Sequence, residues 1–497
     1  MDSTGAATGS PLRLGWVLAV VGTVQFTVAL DGSVANVALP AMRDALGFDD
    51  SALQWVINAY GLAFGGFLLL GGRFADLYGR RRVLVAGSAL FGVASLVGGL
   101  AQEAVHLVVA RAAQGLAAAA LAPCALTILN TTFPPGVRRA RALATWSACA
   151  AGGGAAGVLV GGLLTEFLSW RWVLLINVPI MAFPVLAARF VPREPAGTGG
   201  RRLDVVGAVL ATSGLVVFAL AVARTDQHGW LSAATVGAFA VAAVLLVGFV
   251  GYEARIARHP LVRWGILARR PVAGANLVML LLCSGQYASF YFLSLHVQQI
   301  QHRGAAVAGL VFLPFSAGFA VSARLASRLV GRLGPRVLVG AGALVGAAGL
   351  LWFGLITPDG AYPVEILVPS LLASVGIGVC YVPLAAAATG DVPAEDAGLA
   401  AGLLNSSSQI GGSLGLAALV TVSTACATGL VERGEETRTA VDAGYARGLS
   451  VAGCLLVVAA LCSLVLPGRR PTQVPAEVAS EATEPPGAEP RQASEVS

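Results

Sequence analysis

The chain has 497 residues, of which 56% are hydrophobic and only 12% charged, and its formal net charge of +6 comes from arginine alone, because it contains no lysine. A soluble globular domain carries about 25% charged residues, so the composition excludes one and points to an integral membrane protein. The mean hydropathy of +0.77 agrees. The basic balance does not by itself signify nucleic acid, since cytoplasmic loops of membrane proteins collect arginine for topological reasons. Arginine without lysine, beside heavy use of Ala, Gly and Val, suggests a GC-rich bacterial genome.

Apolar runs of about twenty residues, each long enough to cross a roughly 30 Å hydrocarbon core as a helix, recur along nearly the whole sequence. Fourteen are predicted, near 14 to 37, 52 to 71, 83 to 101, 106 to 129, 141 to 165, 172 to 190, 204 to 222, 233 to 251, 272 to 297, 305 to 326, 337 to 356, 364 to 389, 398 to 424 and 447 to 466. With residues 1–13 in the cytoplasm, about 24 arginines fall inside and about 7 outside, with Arg111 within a span, which is the asymmetry the positive-inside rule asks for. Both termini are therefore expected in the cytoplasm. The stretch VERGEETRTAVDAGYARG is polar and reads as a loop or a short surface helix, and residues 467–497, rich in Pro, Glu, Ala and Ser, read as a disordered tail. The N-terminus shows no cleavage signal.

Span one contains VALDGSVANVALP. An acidic side chain at helix-centre depth costs roughly 2.5 to 3.5 kcal/mol on insertion scales, so Asp31 is a candidate functional residue. Span four contains LVVARAAQGLAAAALAP, with Arg111, Gln114 and Gly115. Span one runs outward and span four inward, so at about 1.5 Å per residue both Asp31 and Arg111 are expected roughly 8 to 10 Å below the outer surface, facing one another.

Two loops echo each other. GRRRVLVAG from Gly79 recurs loosely as GPRVLVGAG from Gly334, and Gly331 stands where the first copy has Asp76. Repeated halves are a mark of secondary transporters, whose substrate site lies between them at the bilayer midplane. The first loop, GRFADLYGRRRVL, carries Gly72, Asp76, Gly79, Arg80 and Arg81: glycines for a tight turn, an acid suited to a helix N-terminus and arginines that hold the loop inside. Span five reads ACAAGGGAAGVLVGGLL, whose glycines four apart allow close helix approach. GGGAAG there fits a dinucleotide-binding pattern and GGSLG around Ser413 a hydrolase pattern, but both lie inside membrane spans, without the strand either site needs. The seven cysteines and five histidines show no metal-ligand or catalytic spacing.

These motifs resemble the major facilitator superfamily, and within it the fourteen-spanner drug:proton antiporters, over residues 12 to 466. The loop is similar to that superfamily's GxxxDxxGRRxxL, and Arg111 with Gln114 and Gly115 resembles its RxxxG-type motif. Gly153, Gly157, Gly161 and Gly162 resemble the antiporter motif GxxxGPxxGG, with Val158 in place of the proline. SWRWVLLINVP, with Trp170, Arg171, Trp172, Asn177 and Pro179, is similar to the fourteen-spanner family in particular.

The resemblance implies an all-α fold in which two six-helix bundles, 14–190 and 272–466, flank two extra helices in 204–251. It implies proton-driven efflux of small amphipathic compounds across a bacterial cytoplasmic membrane by a monomer, without enzymatic activity, cofactor or metal. The alternatives are a dedicated metabolite or siderophore transporter on the same fold and a membrane sensor that does not transport. Asp31 is the expected proton carrier, with Arg111 its partner: burial favours the neutral acid and a nearby arginine the carboxylate, so the balance shifts as the cavity opens to either side. Gln25, Asn36, Asn58, Tyr60, Gln114, Asn276, Gln286, Tyr287, Gln298 and Asn405 are polar residues in or beside spans. They are candidates for the cavity lining, about half of them expected to join helices instead.

Overall fold

In lipid no water satisfies an exposed peptide group, so each apolar run must close its hydrogen bonds along its own helix. The computed structural model of the chain describes residues 11–133, 137–192, 204–225, 232–257, 261, 264–393 and 396–468. It is all-helical, with no strand among those residues. Fourteen helices are long and apolar enough to span: Leu14–Leu46, Trp55–Ala75, Arg80–Gly99, Ala104–Thr132, Val137–Phe167, Trp172–Phe190, Val205–Ala223, Ala233–Arg255, Arg270–Ile300, Ala305–Leu333, Pro335–Phe353, Tyr362–Thr389, Ala397–Val431 and Thr437–Val465. An even number puts the first and last described residues on one face of the bundle, here the terminal face. The opposite face is the distal face.

Two expectations need correction. Span one does not end near residue 37 but continues through Pro40 to Leu46, so Asp31 lies near the middle of its helix and not near the outer end. Proline inside a helix removes one backbone bond without necessarily ending the run. Span fourteen begins at Thr437 and not near 447: the polar stretch read as a loop supplies its first turns. Those turns are helical because their polar groups find partners, Arg438 donating from Nε to the Ile300 carbonyl at 3.1 Å and Asp442 meeting His296. The N-terminal ten residues and the tail beyond Gly468 lie outside the described residues, as do Arg258, Arg263 and Glu395.

The helices pack as two sets, and each pairing in the first set recurs eight spans later. Span one packs on five and span nine on thirteen; two on four and ten on twelve; three on six and eleven on fourteen. The loop echo obeys the same offset. Gly79 (φ 91°, ψ 124°) links spans two and three, and Gly334 (φ 78°, ψ 160°) links spans ten and eleven in nearly the same conformation, in a region that favours glycine. Between the sets, span seven packs on spans two and thirteen and carries span eight on its other side. The Thr421 hydroxyl of span thirteen donates to the Val222 carbonyl of span seven at 3.1 Å.

The two sets meet along spans two and thirteen, where Gly61 lies against Ser413 and Gly65 against Gln409, and again at the distal face. Gly162 of span five sits against Ala305, and Gly309 of span ten lies close to the Val158 carbonyl. The Ser294 hydroxyl of span nine donates to the Asn36 carbonyl of span one at 2.8 Å, and Gln298 donates from Nε2 to the Val37 carbonyl at 3.0 Å.

Candidate functional site

Asp31 is fully buried, and a carboxylate at that depth persists only with partners. Two neighbouring spans supply them. Arg111 of span four donates from Nη1 to Asp31 Oδ2 at 2.5 Å. Gln114, three residues on and so on the same helix face, donates from Nε2 to Asp31 Oδ1 at 3.0 Å. Asn177 of span six donates from Nδ2 to that same oxygen at 2.7 Å.

The arginine is held as firmly as the acid. Its Nη1 also reaches Gln114 Oε1 at 2.9 Å, its Nε donates to the Val56 carbonyl of span two at 2.8 Å, and its guanidinium lies 4.5 Å from the centre of the Tyr60 ring. Gln114 Nε2 meets the Ser95 hydroxyl of span three at 2.8 Å. Spans one, two, three, four and six thus converge on one ion pair. Removing one partner of a buried ion pair costs about 3 to 5 kcal/mol, so the pair and the helices that grip it hold together as one unit.

Span five supports the site from behind. A side chain at Gly153, Gly157 or Gly161 would overlap the backbone of span one at Phe26, Leu30 and Val34 respectively, so the three glycines form a rail along which the two helices touch. The fourth glycine of that motif, Gly162, faces span ten. The helix Val137–Phe167 runs unbroken through Val158, as expected where valine replaces the kinking proline.

The SWRWVLLINVP stretch has a positional role. Arg171 donates from Nη1 to the Gly99 and Ala101 carbonyls at 3.1 and 2.5 Å, tying the entry of span six to the loop between spans three and four, while its guanidinium lies 4.6 Å from the Trp170 ring centre. Pro179 lacks an N–H and leaves the Leu175 carbonyl without its usual helical donor. The helix is interrupted at Ile176, and Asn177 starts the next segment aimed at Asp31.

The other candidates divide. Asn58 is buried and donates from Nδ2 to Gln54 Oε1 at 3.2 Å, and Asn36 turns back on the carbonyls of its own helix. In the second set, Asn276 accepts from the Ser407 hydroxyl at 2.7 Å, Gln286 accepts from the Tyr381 hydroxyl at 2.6 Å, and Tyr287 donates to Gln409. These three join span nine to spans twelve and thirteen, and Gln298 joins span nine to span one. Tyr60 and Tyr287, one from each set, lie within electrostatic reach of each other and of Arg111. Gln25 is half-buried and Asn405 exposed. In the loop motif, Gly72 packs near Pro123 and the Arg80 carbonyl accepts from the Cys124 thiol at 3.2 Å, whereas the Asp76 side chain lies outside the described residues.

Asn177, Ser95, Tyr381 and Gln409 belong to these networks although sequence reading did not single them out as site residues. Only Asn177 had a signal, its place in the tryptophan-flanked motif.

Residues 21–416 match the model of the Major Facilitator Superfamily. The chain is 47% identical over 409 residues to the cephamycin export protein of Amycolatopsis lactamdurans, covering 82% of this chain and 84% of that one. It is 40% identical over 473 residues to a puromycin resistance protein of Streptomyces alboniger, covering 93% of each. Its fold is similar to that of a bacterial homologue of the human lysosomal transporter Spinster in an inward-facing, unoccupied conformation, with a TM-score of 0.65 and 17% identity over 92% of this chain and 98% of that one. With fourteen spans, packing that repeats at an offset of eight, and a family match running from span one into span thirteen, the chain belongs to the major facilitator superfamily.

Proposed function

We propose that the protein exports antibiotics or other small amphipathic metabolites across the cytoplasmic membrane of a bacterium, in exchange for protons. The observation that carries the proton reading is the Asp31–Arg111 pair, fully buried at mid-helix and gripped by five spans. The names of the relatives, a cephamycin exporter and a puromycin resistance protein, support the substrate class. The arginine-rich loops lie on the terminal face, which we assign to the cytoplasm. Spans one to six and nine to fourteen act as the two rocking halves, with spans seven and eight as an insert, and the unit of transport is the monomer.

The cycle follows from the site. With the distal face open, a proton reaches Asp31 and neutralises it; Arg111 then loses its only charged partner among the described residues and shifts; the distal face closes. Opening of the terminal face returns Asp31 to water and releases the proton inside, and the drug crosses in the opposite sense. The test is Asp31→Asn in reconstituted vesicles under an imposed pH gradient, with a lipophilic cationic dye. The amide keeps the shape and most hydrogen bonds of the acid but cannot titrate, so uphill dye transport is expected to fail while dye binding persists. Uphill pumping at the wild-type rate would refute the assignment.

A further inference from the structure

A second buried pair of titratable groups lies in the other half of the protein, at the distal end of span nine. His296 and Asp442 are both almost fully buried, and Nδ1 of the histidine lies 2.6 Å from Oδ1 of the acid. Gln301 closes the other side of the ring, its Nε2 lying 3.2 Å from His296 Nε2. By turning its amide over, Gln301 serves either a neutral or a charged imidazole.

The setting of the pair makes it more than a core contact. His296 opens a wide helical turn, His296–Ile300, in which the α-helical pattern gives way to π-type bonding. Such bulges are frequent at functional sites. Ser294, just before this turn, and Gln298, within it, hold span nine to span one across the distal face. Their acceptors have a reason to be available. Pro40 has no N–H, so the Asn36 carbonyl, four residues earlier, lacks its helical donor, and the Ser294 hydroxyl donates to it instead.

We propose that His296 and Asp442 bind one proton between them and that this proton is required for the distal face to close. The reason is charge. With one proton the pair is neutral overall and tolerates burial, either as an ion pair or as a hydrogen-bonded neutral pair. Without it, an Asp442 carboxylate stands against a neutral ring in a dry site, a costly arrangement unless water or a counter-charge enters. Arg438 is engaged with the Ile300 and Pro358 carbonyls and with Asp359 at 3.1 Å, Tyr445 donates to Gln299 Oε1, and Glu365 accepts from Thr357. His302 and Arg303 lie in the loop beyond the turn, span thirteen brings no charged residue between Ala397 and Val431, and Arg43 and Asp44 of span one pair with each other at 3.3 Å. Closing the distal face would then take up a proton from that side, and reopening it would release the proton again.

The inference rests on the outward assignment of the distal face, and its test needs neither drug nor gradient. Spin labels on cysteines replacing Leu168 and Glu435, exposed residues on the distal sides of the two halves, report closure by their separation in nanodiscs of a cysteine-free background. In this background and in Asp31→Asn, the short separation is expected at pH 5.5, with a severalfold rise of the long one at pH 8.5. Added to Asp31→Asn, where the Asp31 proton no longer contributes, Asp442→Asn, or the amide pair His296→Gln with Asp442→Asn, keeps the hydrogen bond without the need for a proton, and the short separation is expected to persist at both pH values. A wild-type pH response in either amide variant would overturn the proposal, as would loss of the response in Asp31→Asn alone. If dye pumping proves independent of protons while the label response still follows Asp442, the proton-exchange reading fails and this one stands.

Discussion

Glu166, in the last turn of span five, accepts a hydrogen bond from the Ala306 amide in the first turn of span ten, at 2.7 Å. The residue that opens that helix is Gly304, which has no side chain with which to cap it. One half of the protein thus caps a helix of the other, satisfying an amide that the helix start leaves without a partner. A cap of this kind is worth about 1 kcal/mol, roughly a fivefold change in an equilibrium. Glu166→Ala should raise the population with the distal face open by about that factor, and Glu166→Gln, which keeps an acceptor, should change it little. The rate at which an impermeant thiol reagent labels a cysteine in place of Val158, against span ten, measures both. Equal rates in Glu166→Ala and the parent would show that the cap does not hold the face shut.

The glycine rail makes a second, sharper prediction. A methyl group at Gly157 would overlap the Leu30 carbonyl and the Ser33 hydroxyl, one residue from Asp31, whereas a methyl group at Gly154 meets nothing within 4 Å. Gly157→Ala must push span five away from span one and is expected to lower the detergent melting temperature and reduce transport at least tenfold. Gly154→Ala, which improves helix propensity by about 1 kcal/mol, should leave both intact or raise stability slightly. Melting curves and dye transport on the two variants decide the matter, since composition and helix content are the same in each.

Much of this was legible in the sequence, for a physical reason. A helix that crosses lipid must be apolar over about twenty residues, so fourteen spans were countable, and Asp31 and Arg111 stood out because so few charges interrupt them. Misreadings arose where a local cue was overruled by a distant partner. Span one was expected to end near residue 37, yet the helix continues through Pro40 to Leu46 and the freed Asn36 carbonyl is taken by Ser294. The stretch before Arg447 is polar enough for a loop, yet Asp442 is drawn into a helix by His296. Asn276, Gln286 and Tyr287 were candidates either for the cavity lining or for joining helices, because a polar side chain in an apolar run reads the same whether it faces a ligand or bonds a neighbouring helix. Their bonds to Ser407, Tyr381 and Gln409, which show that they join helices, could not be read from the sequence.

Orientation is open to a direct measurement. Arg139, beside the start of span five, lies on the terminal face, and Glu435, between spans thirteen and fourteen, on the distal face. In intact cells, an impermeant thiol reagent is expected to label a cysteine at Glu435 and to reach one at Arg139 only after the membrane is opened. The reverse pattern would place both ends of the bundle outside and invert the direction assigned to the distal closure.

Asn177 is the member of the site that separates proton binding from mere packing. It donates one of the three bonds that hold the Asp31 carboxylate, at 2.7 Å, while its own Oδ1 is buried with no hydrogen-bond partner among the described residues. A hydrogen bond to a charged group is worth about 1.5 to 3 kcal/mol. Asn177→Leu removes one of the donors to the carboxylate without touching Arg111 or Gln114, so the pH profile of proton-driven dye transport is expected to move while the maximal rate is largely kept. Arg111→Ala should be far more damaging, because it leaves the same carboxylate buried without its cation, at a cost of about 3 to 5 kcal/mol. Transport measured across a series of pH values, with both variants purified and shown by gel filtration to be folded, distinguishes the two. If Asn177→Leu lowers the maximal rate with the pH profile unmoved, Asn177 serves helix packing alone, and the Asp31 proton is governed by Arg111 and Gln114.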